Sequence, residues 1–188
     1  MIYLLTLIAV ASRFLPHPPN FACIGALGLF AGCYVAGRRA YLVPLLALAA
    51  SDILGQMFAV SGLGFYRPEQ MLFVYLGMAA SVAIGRLGRR SNSAEQPSVS
   101  WQRFPLTVLA ASTVFFVVSN VGVWLGPWYA TNLSGLLSCF TAAIPFYGYT
   151  IAGDFFFAGA MFGAMELARS GAAAMPKPAI GTTGTIVR

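Results

Sequence analysis

Long stretches of apolar residues alternate with short segments rich in Pro, Gly, Arg and Ser along the chain. A helix needs about 20 residues to cross the hydrocarbon core of a bilayer, and fewer where its flanking residues reach the interface. Six segments have this pattern, and two of them are short. We predict an all-α polytopic membrane bundle whose helices cover residues 1–15, 21–36, 40–60, 71–87, 104–125 and 147–167.

The segments between the predicted helices differ in character. Residues 88–103 are the most polar and predict a cytoplasmic linker, and residues 170–188 predict a flexible cytoplasmic tail after a transmembrane domain over 1–169. Residues 133–144 are too short to span a bilayer. They are either interfacial, or re-entrant, or the start of the last helix before a kink at Pro145.

Composition and charge support a membrane location. Only 9% of the residues are charged, against roughly 25% in soluble domains, which is too few to cover a soluble surface. With six helices, nine of the 11 Lys and Arg residues fall on one side of the membrane. This bias predicts that both termini are cytoplasmic and that the protein resides in a bacterial inner membrane. The basic residues form no stripe interleaved with aromatic residues, so nucleic acid is not an expected partner.

Small residues recur every four positions in three of the predicted helices. Such stripes let helix backbones approach closely inside a bilayer. They predict either packing within the bundle or docking of a partner protein. The residues concerned are Gly28, Gly32, Ala36, Gly77, Ser81, Gly85, Gly159 and Gly163.

Two acidic residues lie inside predicted spans. Asp52 is in the third predicted helix and Asp154 is in the sixth. A charge inside the bilayer costs roughly 2.5–3.5 kcal/mol on insertion scales, so it normally faces a cavity or a partner. Each aspartate is either a structural carboxylate or part of a site for a polar ligand or a cation. Arg13, near the outer end of the first helix, is a candidate counter-charge for them.

Further polar and aromatic side chains gather at the predicted outer end of the bundle. A pocket with aromatic walls and a few placed polar groups suits a small ligand. The alternative is that these residues form only the interfacial rim of the bundle. The predicted ligand-binding residues are Arg13, His17, Asn20, Asp52, Asn120, Trp124, Tyr147 and Asp154.

Signatures of catalysis are missing from the sequence. His17 is the one histidine, and Cys23, Cys33 and Cys139 form no CxxC pair. The chain has no HExxH, no GxSxG with a usable base and no phosphate-binding loop. We therefore predict a protein that is not an enzyme and that carries no metal and no cofactor.

Three stretches carry a resemblance to known proteins: residues 12–21 (SRFLPHPPNF) continuing into 24–32, residues 115–124 (FFVVSNVGVW), and residues 135–146 leading to Gly153 and Asp154. This pattern resembles a bacterial family of uncharacterised six-helix membrane proteins. That family is distantly similar to the substrate-binding S components of energy-coupling-factor (ECF) vitamin transporters. The resemblance implies a vitamin-sized ligand bound at the outer face, and a transmembrane coupling subunit with two ATPases as partner. In S components, small residues of the first helix contact that subunit, whereas the first helix here has no clear four-residue pair.

The leading hypothesis is therefore a membrane subunit that captures a small, vitamin-like molecule from the outer face for uptake. The alternative is a non-catalytic accessory subunit that packs against a larger membrane complex.

Overall fold

The computed structural model describes residues 2–65, 67–90 and 98–174. The predicted all-α membrane bundle is confirmed. In the described part of the chain, four helices are long and apolar enough to span a membrane, and a pair of two-residue strands precedes α5. The elements are α1 (Ile2–Ser12), α2 (Ile24–Tyr34), α3 (Arg39–Met57), α4 (Pro68–Leu87), β1 (Arg89–Arg90), β2 (Ser98–Val99), α5 (Phe104–Trp124) and α6 (Leu133–Ala174).

The last helix is twice as long as the sequence predicts. The helix predicted over 147–167 instead begins at Leu133 and continues through Pro145 as one 42-residue helix. Residues 133–144 are thus the start of α6, because they pack along α5: the ring of Phe140 meets that of Phe116 edge-on. The helix also runs to Ala174, so residues 170–174 of the predicted tail over 170–188 are helical. Its remainder lies outside the described residues.

The polar linker over 88–103 contains a strand pair that the sequence did not predict. β1 and β2 pair in antiparallel register, with Arg89 opposite Val99 and Arg90 opposite Ser98. Val99 is buried, and the thiol of Cys33 in α2 lies 3.8 Å from the carbonyl oxygen of Ser98. The pair therefore holds the linker against the end of α2. Residues 91–97 of the linker lie outside the described part of the chain.

The first two helices are only half as long as a membrane span. Each has 11 residues and is about 16 Å long, against a hydrocarbon core of about 30 Å. Ile2 and Arg39 line one shallow groove, so α1 and α3 begin at the same level. Arg13, directly after α1, bonds to Asp52, which lies about 20 Å along α3. The connection over 13–23 therefore lies part-way up the bundle rather than at its far end.

The core forms around α2, where the run of residues 26–33 is fully buried. Glycines bring α2 and α4 together: a side chain at Gly32 would strike the carbonyl oxygen of Val82, and one at Gly85 would strike that of Leu29. Gly28 faces the side chains of Met78 and Ser81 in the same interface. These stripe residues pack within the bundle. Helices in a bilayer associate through such close packing because lipid provides no hydrophobic driving force between them.

The rest of the predicted stripes divide in two. Gly77 of α4 lies against the ring of Phe115 in α5, so it also packs within the bundle. Ala36 follows α2 and is exposed. A side chain built on Gly159 or Gly163 of α6 meets open space among the described residues. Among the described residues, the α6 stripe therefore leaves open space where a side chain would extend.

Candidate functional site

An ion pair joins the end of α1 to α3. Nη1 of Arg13 donates to Oδ1 of Asp52 at 2.7 Å. The same nitrogen bonds to the hydroxyl of Ser51 and, at 3.5 Å, to the carbonyl oxygen of Leu48. The hydroxyl of Tyr75 in α4 donates to the other carboxylate oxygen of Asp52 at 3.1 Å. Asp52 is 3% exposed, so this buried carboxylate is both charge-paired and hydrogen-bonded, as a charge in a bilayer requires.

The ion pair lies at the edge of a cavity of about 340 Å³. Because α1 ends and α2 begins part-way up the bundle, the chain over 13–23 and the first turn of α2 form one wall, and α3 to α6 form the others. Asn20 and Gly62 line the cavity and are exposed, so it reaches the protein surface at the end where α3 turns into α4. This end is opposite Arg38, Arg39 and Arg86. The cavity is lined by Arg13, Asn20, Ala22, Ile24, Gly25, Leu48, Gly62, Gln70, Val74, Met78, Phe115, Ser119, Asn120, Val123, Thr150 and Asp154.

Asp154 lies in the cavity wall on α6 and is 5% exposed. The hydroxyl of Ser112 on α5 lies 2.6 Å from its Oδ2. Its Oδ1 lies against Gly25, and a Cβ added to that glycine would collide with this oxygen. The glycine in the first turn of α2 therefore makes the room that the carboxylate occupies.

The predicted site residues do not all meet in the cavity. Four of them line it: Arg13, Asn20, Asn120 and Asp154. Asp52 does not line the cavity but forms an ion pair with Arg13. The other three predicted site residues lie elsewhere. The ring of His17 is exposed and bonds to the carbonyl oxygen of Pro18. The indole N–H of Trp124 donates to the carbonyl oxygen of Ala130. The hydroxyl of Tyr147 bonds to the hydroxyl of Thr113.

Several side chains of the site were not predicted. Ser51 and Ser112 are fully buried hydroxyls inside apolar helices, and that placement is a signal that the sequence carries. Tyr75 and Phe115 carry no such signal, because they look like ordinary span residues, and Gln70 lies just before the helix predicted over 71–87. The sequence also leaves open which aspartate Arg13 pairs with, and the structure pairs it with Asp52.

Comparison with known proteins adds one finding. A family of unknown function (DUF6580) matches residues 1–177. The chain belongs to this family. DUF6580 thus covers all six helices, including the residues of the cavity. Nothing among the curated proteins or the solved structures matches the chain.

The chemistry that this DUF6580 chain offers at the site is hydrogen bonding and charge pairing. The cavity presents a guanidinium, a carboxylate, three amides and two hydroxyls between apolar walls. Among the described residues, no group of three or more His, Cys, Asp or Glu comes together as metal ligands would. The arrangement is typical of a pocket for a small polar molecule, in which a few placed polar groups orient a ligand held by apolar contacts.

Proposed function

We propose that the protein is a substrate-binding subunit of a small-molecule uptake system in a bacterial inner membrane, and that it captures its ligand from the outer face. One observation carries this proposal: a 340 Å³ cavity with charged and polar walls reaches into an otherwise apolar bundle. Buried polar groups in a bilayer are costly to maintain unless they serve a partner or a ligand.

The distribution of charge supports the orientation that we propose for the cavity. Arg38, Arg39 and Arg86 lie at the end of the bundle away from the cavity mouth. Cytoplasmic loops of membrane proteins carry the excess of Arg and Lys. In the orientation we propose, both termini are therefore cytoplasmic and the cavity faces outward.

Thiol labelling tests this orientation. The three native cysteines are free and buried, so they contribute little background. We expect a membrane-impermeant maleimide added to intact cells to label Ser61→Cys and Asn132→Cys fully. Gly37→Cys, at the end with Arg38 and Arg39, should be labelled only after the cells are opened. The reverse pattern would place the cavity on the cytoplasmic side and overturn the outward-facing proposal.

A blocked cavity tests ligand capture itself. Ser119 of α5 lines the cavity, whereas Val117, two residues earlier, is exposed on the outside of the bundle. We expect Ser119→Phe to fill the cavity and to abolish the small molecule retained by the purified protein, as read by native mass spectrometry in mild detergent. Val117→Phe adds the same ring without entering the cavity, so it should retain the ligand. Equal retention by both variants, or a wild-type protein that purifies without any small molecule, would contradict the proposal.

A partner subunit is part of the proposal. We infer a transmembrane coupling subunit with ATPases from the resemblance to ECF S components that the sequence pattern suggests. The face of α6 with Gly159 and Gly163 is open in the bundle, and such small-residue faces let a second helix approach closely. The same open face also favours the second candidate function, a non-catalytic accessory subunit of a larger membrane complex. Co-purification in mild detergent separates them: coupling and ATPase subunits accompany the first, and subunits of another complex accompany the second.

A further inference from the structure

We propose that the cavity takes a small organic cation, and that the carboxylate of Asp154 binds a protonated amine of this solute. The inference rests on the proposed function, because it assigns a charge to the solute that the same cavity captures. Four features of the cavity carry it: the pairing of its charged groups, the hydrogen bonds of Asp154, the direction of the other polar side chains, and the nature of the remaining walls.

The charges in and beside the cavity leave a negative excess. Arg13 is the cation in the cavity wall, and it already bonds to Asp52 at 2.7 Å. Asp154 takes part in none of the ion pairs that form between described residues, which are Arg13–Asp52, Arg67–Glu69 and Arg169–Glu166. One guanidinium thus faces two carboxylates, and Asp154 is the one whose charge no side chain of the described bundle matches. A cation in the cavity supplies that match.

The bonds of Asp154 leave room for a donor. Its Oδ2 is 2.6 Å from the hydroxyl of Ser112, which also lies 3.1 Å from the carbonyl oxygen of Val108. The single proton of this serine is therefore shared between two acceptors. Oδ1 lies beside Gly25 in the first turn of α2, where the unpaired N–H groups give a helix a partial positive charge. This helix end favours the ionised carboxylate, and a carboxylate oxygen accepts several hydrogen bonds.

The neutral polar groups near Asp154 also present acceptors. Ser119 and Thr150 direct their hydroxyl protons to carbonyl oxygens of their own helices, those of Phe116 and Phe146. Asn120 donates from Nδ2 to the carbonyl oxygen of Phe116 at 2.8 Å, so its amide oxygen is left to accept. Ser119 and Thr150 therefore offer a solute acceptor oxygens, and Asn120 offers its amide oxygen together with its second Nδ2 proton, so donors on the solute are matched here. A protonated amine brings two or three and no acceptor.

The remaining walls suit a hydrocarbon body. Val74 and Met78 of α4 and Phe115 of α5 line the cavity beside the polar groups. Aromatic and thioether side chains pack well on the apolar part of a ligand, and an aromatic face also attracts a cation. The solute that fits is therefore a small molecule with an apolar body and a basic nitrogen.

Three probes of nearly equal shape test the charge that the cavity selects: 2-phenylethylamine, 2-phenylethanol and phenylacetate, which are a cation, a neutral molecule and an anion at pH 7. Isothermal titration calorimetry of the full chain in mild detergent measures each dissociation constant, with detergent-only titrations subtracted. We expect the amine to bind at least about tenfold more tightly than the alcohol and the acid, as charge-assisted hydrogen bonds require.

Asp154→Asn keeps the shape of the side chain and its contact with Ser112 but removes the charge, so it should abolish the preference for the amine. Glu166→Gln is the matched control, because it removes a carboxylate from the same helix about 18 Å away, where Glu166 accepts a hydrogen bond from Tyr34. This variant should keep the preference. If phenylacetate binds most tightly, or if Asp154→Asn binds the amine as wild type does, the inference is wrong while a solute-binding cavity stands. If none of the three probes binds, the inference and the proposed function both fail.

Discussion

Removing either member of the Arg13–Asp52 pair is expected to destabilise the protein by about 3–5 kcal/mol, because the remaining charge is left buried without a partner. Arg13→Met leaves the carboxylate of Asp52 without a counter-charge, and Asp52→Leu leaves the guanidinium of Arg13 without one. The side chains are 13% and 4% exposed in the folded protein, so water screens neither of them well. Titration with SDS of the protein purified in mild detergent measures the free energy of unfolding.

The double variant Arg13→Met/Asp52→Leu tests whether the loss of stability in each single variant comes from the unpaired charge. We expect it to be more stable than either single variant, because two apolar side chains leave no stranded charge. Tyr75 loses its acceptor in both variants that change Asp52, and Ser51 loses the hydrogen bond from Arg13 in the double variant, so the recovery is partial. Arg67→Met provides the control, since Arg67 pairs with Glu69 on the exposed surface, where ion pairs contribute little. Losses that simply add in the double variant would show that the two side chains act independently.

Gly32→Ala and Gly85→Ala are expected to cost about 3 kcal/mol each, because the added methyl group forces α2 and α4 apart. Both glycines lie against backbone of the facing helix, the carbonyl groups of Val82 and Leu29, and backbone cannot move aside as a flexible side chain does. The same unfolding titration measures the loss.

Gly163→Ala is the matched control for these variants. A methyl group there meets open space, and alanine is the better helix former, so stability should be unchanged or slightly increased. If all three variants behaved alike, the close approach of α2 and α4 would not be what stabilises the bundle.

The positions of the long helices are predictable from sequence because a bilayer leaves the backbone few choices. Every peptide group in the hydrocarbon core needs an internal partner, so an apolar run of sufficient length becomes a helix. The helices predicted over 40–60, 71–87 and 104–125 correspond to α3, α4 and α5 with ends shifted by a few residues. Helix ends are less predictable, since they depend on capping and on neighbouring elements.

Pro145 illustrates where local reasoning fails. Proline removes one backbone hydrogen bond and opposes a continuous helix, yet α6 passes through it. The contacts on either side explain this result: the thiol of Cys139 lies 3.6 Å from the carbonyl oxygen of Asn120, and Tyr147 bonds to Thr113. These contacts hold both flanks of Pro145 against α5, and no local pattern in residues 133–144 indicates that neighbour.

The sequence by itself determined that this is a helical membrane protein, that Asp52 and Asp154 are unusual in it, and that Arg13 is a candidate counter-charge. All of this follows from the high cost of a charge or an open peptide group in lipid. Only the tertiary structure shows that Arg13 pairs with Asp52. This pairing arises because α1 and α3 begin at the same level of the bundle and lie side by side. Only the tertiary structure likewise shows that α1 and α2 are half-length, and that Asp154 lines a cavity while it contacts Gly25 of α2 and Ser112 of α5. A linear pattern records which residues are polar, whereas the distances between helices decide which of them meet.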